Sequence, residues 1–193
     1  MADPYATGVL DPEEHDRMVA DIDKIARDAN IQPAWIWAKL DQHCSAPEVA
    51  WVRRFPFHKV EQRAGLCLVG KHPTLDVEAR FAAITGALVR NFVRARLMTL
   101  NQVVTATDAG SPPDMSCLVV PNFFEGLAQQ ALPAWRLALL LDTLLQRQLR
   151  GQQTVLYVTD MVALGKEYGA TLRRHLETHY QLLPVCQPEG AGA

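Results

Sequence analysis

Short, wholly apolar runs alternate with longer amphipathic stretches along most of this 193-residue chain. The clearest are LCLV at 66–69, CLVV at 117–120 and TVLYV at 154–158, and weaker ones lie at 96–99 and 182–185. Runs of this length without polar alternation are typical of strands buried on both faces. Because the intervening segments have helical periodicity, the sequence predicts an α/β fold, a parallel sheet of about five strands between two helical layers.

The segments around these strands predict the domain organisation. Residues 11–60 contain three proline-led helix starts and are expected to form a short helical N-terminal extension. Residues 61–186 are expected to form the α/β core. Polar or small residues at 1–10 and 187–193 predict flexible tails.

Composition excludes several classes of protein. Hydrophobic residues make up 49% and charged residues 21%, which is globular, and a net charge of -2 gives no overall attraction to nucleic acid or anionic membranes. No apolar run approaches the ~20 residues of a membrane helix, and the polar N-terminus predicts no secretory signal. Four cysteines without CxxC spacing are expected to be reduced and structural. We therefore expect a cytoplasmic protein without membrane contact.

The ordered segments resemble a known family. GLCLVGK and the helix ending ALVRNFVRARLMTLNQVV are similar to the first strand, P-loop helix and second strand of DnaC/IstB-type AAA+ ATPases, the helicase loaders and transposon helpers. SCLVVPNFF falls where that family has its acidic strand motif. LPAWRLALLLDTLLQRQLRGQQTVLYVTDM and EYGATLRRHLE resemble the following helix, the sensor strand and the closing helix. The resemblance covers roughly residues 30–180 and implies a P-loop-NTPase-like (AAA+/ASCE) sheet in the order 5-1-4-3-2.

The phosphate-loop segment departs from the family pattern. A phosphate loop needs G-x-x-x-x-G-K-[ST], so that backbone N–H groups wrap the phosphates and the Lys and hydroxyl reach the γ-phosphate and Mg²⁺. Here GLCLVGKHPT at 65–74 keeps Gly70 and Lys71, but it lacks the glycine-rich turn and the Lys-[ST] pair. Pro73 also removes one N–H. The candidate nucleotide-binding residues that remain are Gly70, Lys71 and Thr74.

The acidic motif is also missing. The resemblance places Pro121 and Asn122 where the Mg²⁺-binding and water-polarising acids should lie, and Glu125 is expected beyond the strand end. Asn cannot act as a general base. The loss of both motifs predicts no catalytic residues and no resident cofactor, although Mg-ATP binding remains open.

Three further positions have two interpretations each. Asp160 is either a nucleotide-sensing residue or the N-cap of the helix after it. Arg174, like Arg173, matches an arginine-bearing helix of the family and would act on a partner's nucleotide, or it belongs to a solvated helix face. His175 and His179 share a helix face, but with no third ligand evident we predict no metal site.

Two sets of residues are candidates for an interaction surface. Phe123 and Phe124 end a predicted strand and would either fill the vacant nucleotide site or contact a partner. Two basic clusters, containing Arg53 with Arg54 and Arg90 with Arg94, are candidates for contact with DNA phosphates.

Three functions remain open from the sequence. The first is a catalytically degenerate AAA+-like scaffold with a protein partner and DNA as a further candidate, in replication, transposition or mobile-element biology, as the resemblance implies. The second is a divergent active ATPase that binds Mg-ATP through Lys71. The third is an unrelated α/β interaction or small-molecule-binding domain. The sequence leaves the oligomeric state undecided.

Overall fold

Five parallel strands form the middle layer of the computed structural model, which describes residues 12–71, 76–126 and 132–186. The strands are β1 (Gly65–Val69), β2 (Ala95–Leu97), β3 (Cys117–Phe124), β4 (Gln153–Val158) and β5 (Tyr180–Pro184). Their spatial order is β2-β3-β4-β1-β5, and every neighbouring pair is parallel. The predicted order 5-1-4-3-2 is confirmed. The predicted tails at 1–10 and 187–193 lie outside the described residues.

Helices cover both faces of the sheet. Those before β1 are α1 (Pro12–Ala20), α2 (Ile22–Ala29), α3 (Pro33–Trp37), α4 (Ala46–Arg53) and α5 (Phe55–His58). The connections between strands contain α6 (Val77–Arg90), α7 (Leu100–Asp108), α8 (Ala134–Leu149), α9 (Met161–Glu167) and α10 (Ala170–His179). Within the described ranges, no helix has both the length and the apolar character that a membrane span requires.

The side chains of each strand point alternately to the two faces of the sheet and pack in two separate hydrophobic cores. Leu66 and Leu68 point into a core formed with α6 and the N-terminal helices, whereas Cys67, between them, points into a core formed with α7, α8 and α10. Residues 80–89 of α6 are all buried, because this helix lies between the sheet and the N-terminal helices. The N-terminal helices therefore cover the outer side of α6 and share one core with this helix and the sheet.

Close approach of two helices explains a glycine in the middle of α6. A Cβ added at Gly86 would lie 2.0 Å from the carbonyl oxygen of Trp35 in α3. No side chain fits at that distance, so Gly86 allows the backbone of α3 to rest directly on α6.

The structure corrects several predicted boundaries. β3 does not stop at Pro121 but continues to Phe124, because the pairing with β4 shifts register between Val120 and Phe124 and the missing N–H of proline interrupts no regular ladder. α7 reaches Asp108, although the Thr, Ala, Gly and Pro residues of 105–113 predict a loop there. The helix that the sequence predicts from Asp11 to Asn30 is divided at Asp21. The helix predicted over 161–180, with a division around Gly165 or Gly169, is divided at Gly169, where φ is 94°.

The cysteines are free thiols, as the sequence predicts. Cys44, Cys67 and Cys117 are buried and Cys186 is exposed. Burial raises the pKa of Cys67 and of Cys117 to about 12, so both thiols stay protonated near neutral pH. These two cysteines act as small apolar core residues.

A buried ion pair joins the N-terminal helices to α6. Arg80 Nη1 lies 3.0 Å from Glu48 Oε1, and both side chains are only 1% exposed. Glu48 also accepts hydrogen bonds from the backbone N–H and hydroxyl of Ser45, at 2.6 and 2.8 Å. Arg80 Nη2 donates to the carbonyl of Cys186, 2.5 Å away. One guanidinium thus connects α4, α6 and the segment after β5.

Replacing Glu48 with Ala should destabilise the fold strongly, because Arg80 would be left buried without its counter-charge. We expect a loss of about 3–5 kcal/mol in the free energy of unfolding, measured by urea denaturation. Glu177→Ala is the matched control. It removes the exposed partner of Arg173 and should cost at most about 1 kcal/mol. Equal losses for the two variants would contradict this role for the buried pair.

Candidate functional site

The carboxyl ends of β1, β3 and β4 meet at the edge of the sheet where parallel α/β folds bind ligands. Backbone hydrogen bonds connect the chain here. The N–H of Gly70 donates to the carbonyl of Val158 at 3.0 Å, and the N–H of Thr159 donates to that of Phe124 at 2.9 Å. We call this region, with Gly70, Lys71, Glu125 and Asp160, the carboxyl edge.

Lys71 is exposed at the end of β1 and lies near Asp160. Hydrogen bonds from the N–H groups of Ala163 and Val162 lower the pKa of the Asp160 carboxyl, and the positive charges of Lys166 and Lys71 lower it further. The positive charge of Lys71 is therefore partly offset by a neighbouring carboxylate. Gly70 has a φ of 117°, a conformation that favours glycine. Thr74, predicted with them, lies outside the described residues.

The N-terminus of α6 binds a carboxylate of its own chain. Asp76 Oδ1 accepts a hydrogen bond from the backbone N–H of Ala79, with an N–O distance of 2.9 Å. Glu78 adds a second, exposed carboxylate in the first turn. In a phosphate-binding loop these N–H groups face the phosphate, whereas here a phosphate would meet two negative charges. Sequence reasoning missed Asp76, although an aspartate three residues before Ala79 is the usual capping signal.

The β3 positions that should supply acids have another structural role. Pro121 is buried, and Asn122 Oδ1 accepts a hydrogen bond from the N–H of Leu100 at 2.9 Å, which caps α7. Glu125 is exposed beyond the strand end, as predicted. Burial raises the pKa of Tyr157, and the negative charge of Glu125 raises it further.

The structure does not support an interaction surface at Phe123 and Phe124. Their side chains are only 1% and 0% exposed, and both rings make edge contacts with Tyr168 at centroid distances of 6.3 and 5.1 Å. The prediction that these residues contact a partner is wrong. The register shift in β3 breaks the usual alternation, so two consecutive residues both enter the core.

Asp160 is the N-cap of α9. Its carboxylate accepts hydrogen bonds from the N–H groups of Val162 and Ala163, at 2.7 and 3.0 Å. The capping interpretation is confirmed, and a role in nucleotide sensing stays a prediction. On α10, Arg173 pairs with Glu177 at 2.7 Å, and Arg174 is exposed. Action of Arg174 on a partner's nucleotide also stays a prediction.

His175 and His179 lie side by side on α10, with ring centroids 5.1 Å apart. Within 12–71, 76–126 and 132–186, no three His, Cys, Asp or Glu side chains are grouped so that they could bind a metal. His179 Nδ1 is 3.0 Å from Gln148 Nε2, whereas His175 Nε2 is buried without a hydrogen-bond partner. Burial, and then the neighbouring His179, lower the pKa of His175 to about 4.

Arg53 of the first predicted basic cluster and Arg90 of the second line the same cavity. Arg53 is exposed and lines a cavity of about 660 Å³ together with Lys39 and Arg90. Arg90 is half-buried there, and it donates to the carbonyls of Ile36 and Ala38 at 3.2 and 3.4 Å. Arg90 therefore helps to fix α3 and is only partly accessible.

The other predicted arginines, Arg54 and Arg94, line two further cavities next to the first. Arg54, which pairs with Glu61, lines an adjoining cavity that Arg53 shares. Arg94 donates to the carbonyl of Asp114 at 3.0 Å and lines a third cavity of about 930 Å³ with Arg27 and Arg96. Val93 borders both the first and the third cavity. We call the cations along these cavities the basic surface: Arg17, Arg27, Lys39, Arg53, Arg54, Arg90, Arg94 and Arg96. Four carboxylates line the same cavities: Asp21, Asp28, Asp41 and Asp114.

Comparison with solved structures gives the same fold in proteins of low sequence identity. The chain is similar to the DnaC helicase loader over 79% of its own length and 99% of that chain, with a TM-score of 0.59 and 15% identity. It is similar to DnaI over 82% and 93%, with a TM-score of 0.56 and 14% identity. It is also similar to a protein described as a primosome component from Streptococcus pyogenes serotype M3, over 84% and 95%, with a TM-score of 0.54 and 10% identity.

These likenesses confirm the predicted fold, a P-loop-like five-stranded parallel α/β sheet, which this chain shares with the DnaC and DnaI structures. No protein-family model matches the sequence, and no curated protein matches it.

Removing His175 should make the free energy of unfolding depend less on pH between 4 and 6.5. Because its folded pKa of about 4 lies below the ordinary 6.5, the unfolded chain binds the proton more readily between these values. The contribution of neutral His175 to the free energy of unfolding is therefore complete above pH 6.5, and it falls by about 3 kcal/mol as the pH drops to 4. Urea unfolding of His175→Phe across this range should show a shallower slope. His43→Gln controls for loss of an imidazole, and an unchanged slope in His175→Phe would contradict the assignment.

Proposed function

We propose that this protein is a catalytically degenerate AAA+-like accessory factor that acts by contacting another protein and does not hydrolyse ATP. The observation that carries the proposal is the hydrogen bond from Ala79 N–H to Asp76 at the start of α6. The names of the structural neighbours, which include a helicase loader and a DNA replication initiation factor, favour a role in DNA replication. Transposition or other mobile-element biology is the related alternative.

Charge at the start of α6 argues against phosphate binding. A phosphate group needs unpaired N–H donors and a nearby cation, and the positive end of a helix dipole normally supplies part of that attraction. Here Asp76 already accepts from one of these donors, and Glu78 lies in the same turn. Lys71 is separated from the helix by the whole 72–76 segment and is close enough to Asp160 to lower its pKa.

The chemistry available on β3 argues against hydrolysis. Phosphoryl transfer to water depends on a metal-binding acid and a residue that orients the attacking water. Pro121 can do neither, and the amide oxygen of Asn122 is already hydrogen bonded to Leu100. Any nucleotide bound at the carboxyl edge would lack the charge neutralisation that accelerates this reaction.

Millimolar Mg-ATP should leave the melting temperature of the purified protein unchanged within about 1 °C. A ligand present at ~100 times its dissociation constant would add about 2.7 kcal/mol, which shifts the melting temperature of a domain of this size by several degrees. The melting temperature of the Lys71→Ala variant should likewise be unchanged by Mg-ATP. A stabilisation that Lys71→Ala abolishes would contradict the proposal and favour the divergent active ATPase.

Contact with DNA is a second candidate function, and the arrangement of the basic surface favours it. Arg53, Arg90 and Arg94, which are distant in sequence, border neighbouring cavities on one side of the molecule. Arginines that neutralise phosphates release counterions, so this contact would be salt-dependent and insensitive to base sequence.

The double variant Arg53→Ala/Arg94→Ala should weaken binding of a fluorescently labelled oligonucleotide, measured by anisotropy. The slope of log affinity against log salt should fall by about 1 for each phosphate that an arginine no longer neutralises. Lys166→Ala, which removes a cation from α9, is the control and should change neither quantity. Weaker binding in the control alone would place the nucleic acid elsewhere on the protein.

A further inference from the structure

Helix α8 has two apolar faces, and the domain buries only one of them. Three residues of α8 lie on the inner face and are buried: Leu140, Leu144 and Arg147. At 100° per residue, Ala138, Leu141, Leu145 and Leu149 fall within about 80° of arc on the outer side. We call these four residues the α8 row.

Most of the α8 row is open to solvent, although Leu141 packs partly against the core. Leu145 is 38% exposed and Leu149 is 80% exposed, and Trp135 beside the row is 59% exposed. The spacing of the row, three and then four and four residues, is the spacing by which one helix packs against another. Isolated exposed leucines need no explanation, but a periodic row with an aromatic residue at its border indicates a helix-binding surface.

A groove lies next to the row. Leu137 and Leu141 of α8 form one wall, and Tyr168, Gly169 and Leu172 at the junction of α9 and α10 form the other. The cavity between them has a volume of about 350 Å³. The row therefore borders a depression that can receive side chains from a helix lying along α8.

Asp142 indicates the charge of the occupant. It is exposed on the side of the row where Trp135 lies, and it forms no ion pair within 12–71, 76–126 and 132–186. A second copy packed antiparallel on the row would bring two Asp142 carboxylates to the same side, within about 5 Å along the helix axis. Like charges at that separation disfavour self-association, whereas a basic residue would be attracted.

We propose that the α8 row and its groove bind an amphipathic helix of a partner protein, with a Lys or Arg of that helix opposite Asp142. This inference rests on the proposed function, since it names the class of partner through which a protein without ATPase activity would act. The row supplies apolar contact area, and the Asp142 contact determines which helices are accepted.

The test uses the full chain and two designed helical peptides of about 18 residues, labelled for fluorescence anisotropy. Both carry Leu at the spacing of the row. One has Arg beside the central Leu, and the other has Glu there. We expect the Arg peptide to bind with a dissociation constant on the order of 10 µM, and the Glu peptide to bind about tenfold more weakly.

Variants of α8 make the test specific. Asp142→Lys should reverse the preference between the two peptides, a result that altered stability alone cannot produce. Leu145→Glu should weaken binding of the Arg peptide by at least about tenfold. Val162→Glu is the control, because Val162 is 52% exposed but lies on α9 and not on the row. Melting curves of each variant exclude loss of fold.

Three results would overturn the inference. They are no binding of either peptide at ~100 µM, a preference that survives Asp142→Lys, and a dimer in sedimentation equilibrium that Leu145→Glu dissociates. The last would identify a second copy as the occupant. Because the assay contains no nucleotide, its failure is distinguishable from failure of the proposed function, which is tested by Mg-ATP.

Discussion

The arrangement of the candidate site depends on the buried ion pair between Arg80 and Glu48. Arg80 lies in the first turns of α6, four residues after Asp76, and its guanidinium connects α4 and the carbonyl of Cys186. Two buried charges cost desolvation energy, which only good geometry and further hydrogen bonds offset. Glu48 has these bonds from Ser45. The pair thus fixes the start of α6, and with it the carboxylate at the helix N-terminus.

Apolar runs and helix-starting prolines were sufficient to predict the sheet, because strands buried on both faces leave no ambiguity about which residues are inside. The order of its strands was implied by the resemblance to DnaC/IstB-type ATPases. The end of β3 could not be predicted in this way. Pro121 normally ends a strand, but the register shift toward Phe124 accommodates it, and that shift depends on pairing with β4. The same shift buries Phe123 and Phe124, which explains why a surface role for them was wrong.

At the candidate site, the sequence showed which nucleotide-binding motifs are missing more readily than it showed the structural roles of the residues that stand in their place. The absent Lys-[ST] pair, the residues at 121 and 122 and the capping signal of Asp76 were visible in the sequence, whereas the hydrogen bond from the N–H of Leu100 to Asn122 required coordinates. Arg147 was missed for a similar reason. Its buried guanidinium donates to the carbonyls of Pro113, Met115 and Gln153, which no spacing in the sequence predicts.

We propose that a carboxylate of this chain, Asp76, occupies the position where a nucleotide phosphate would bind. The most direct test is a crystal structure of the protein grown with millimolar Mg-ATP. We expect Asp76 still to accept a hydrogen bond from the N–H of Ala79, near the present 2.9 Å, with no nucleotide at the start of α6. Phosphate oxygens bound to the first N–H groups of α6, with Asp76 displaced and Lys71 turned toward them, would contradict it.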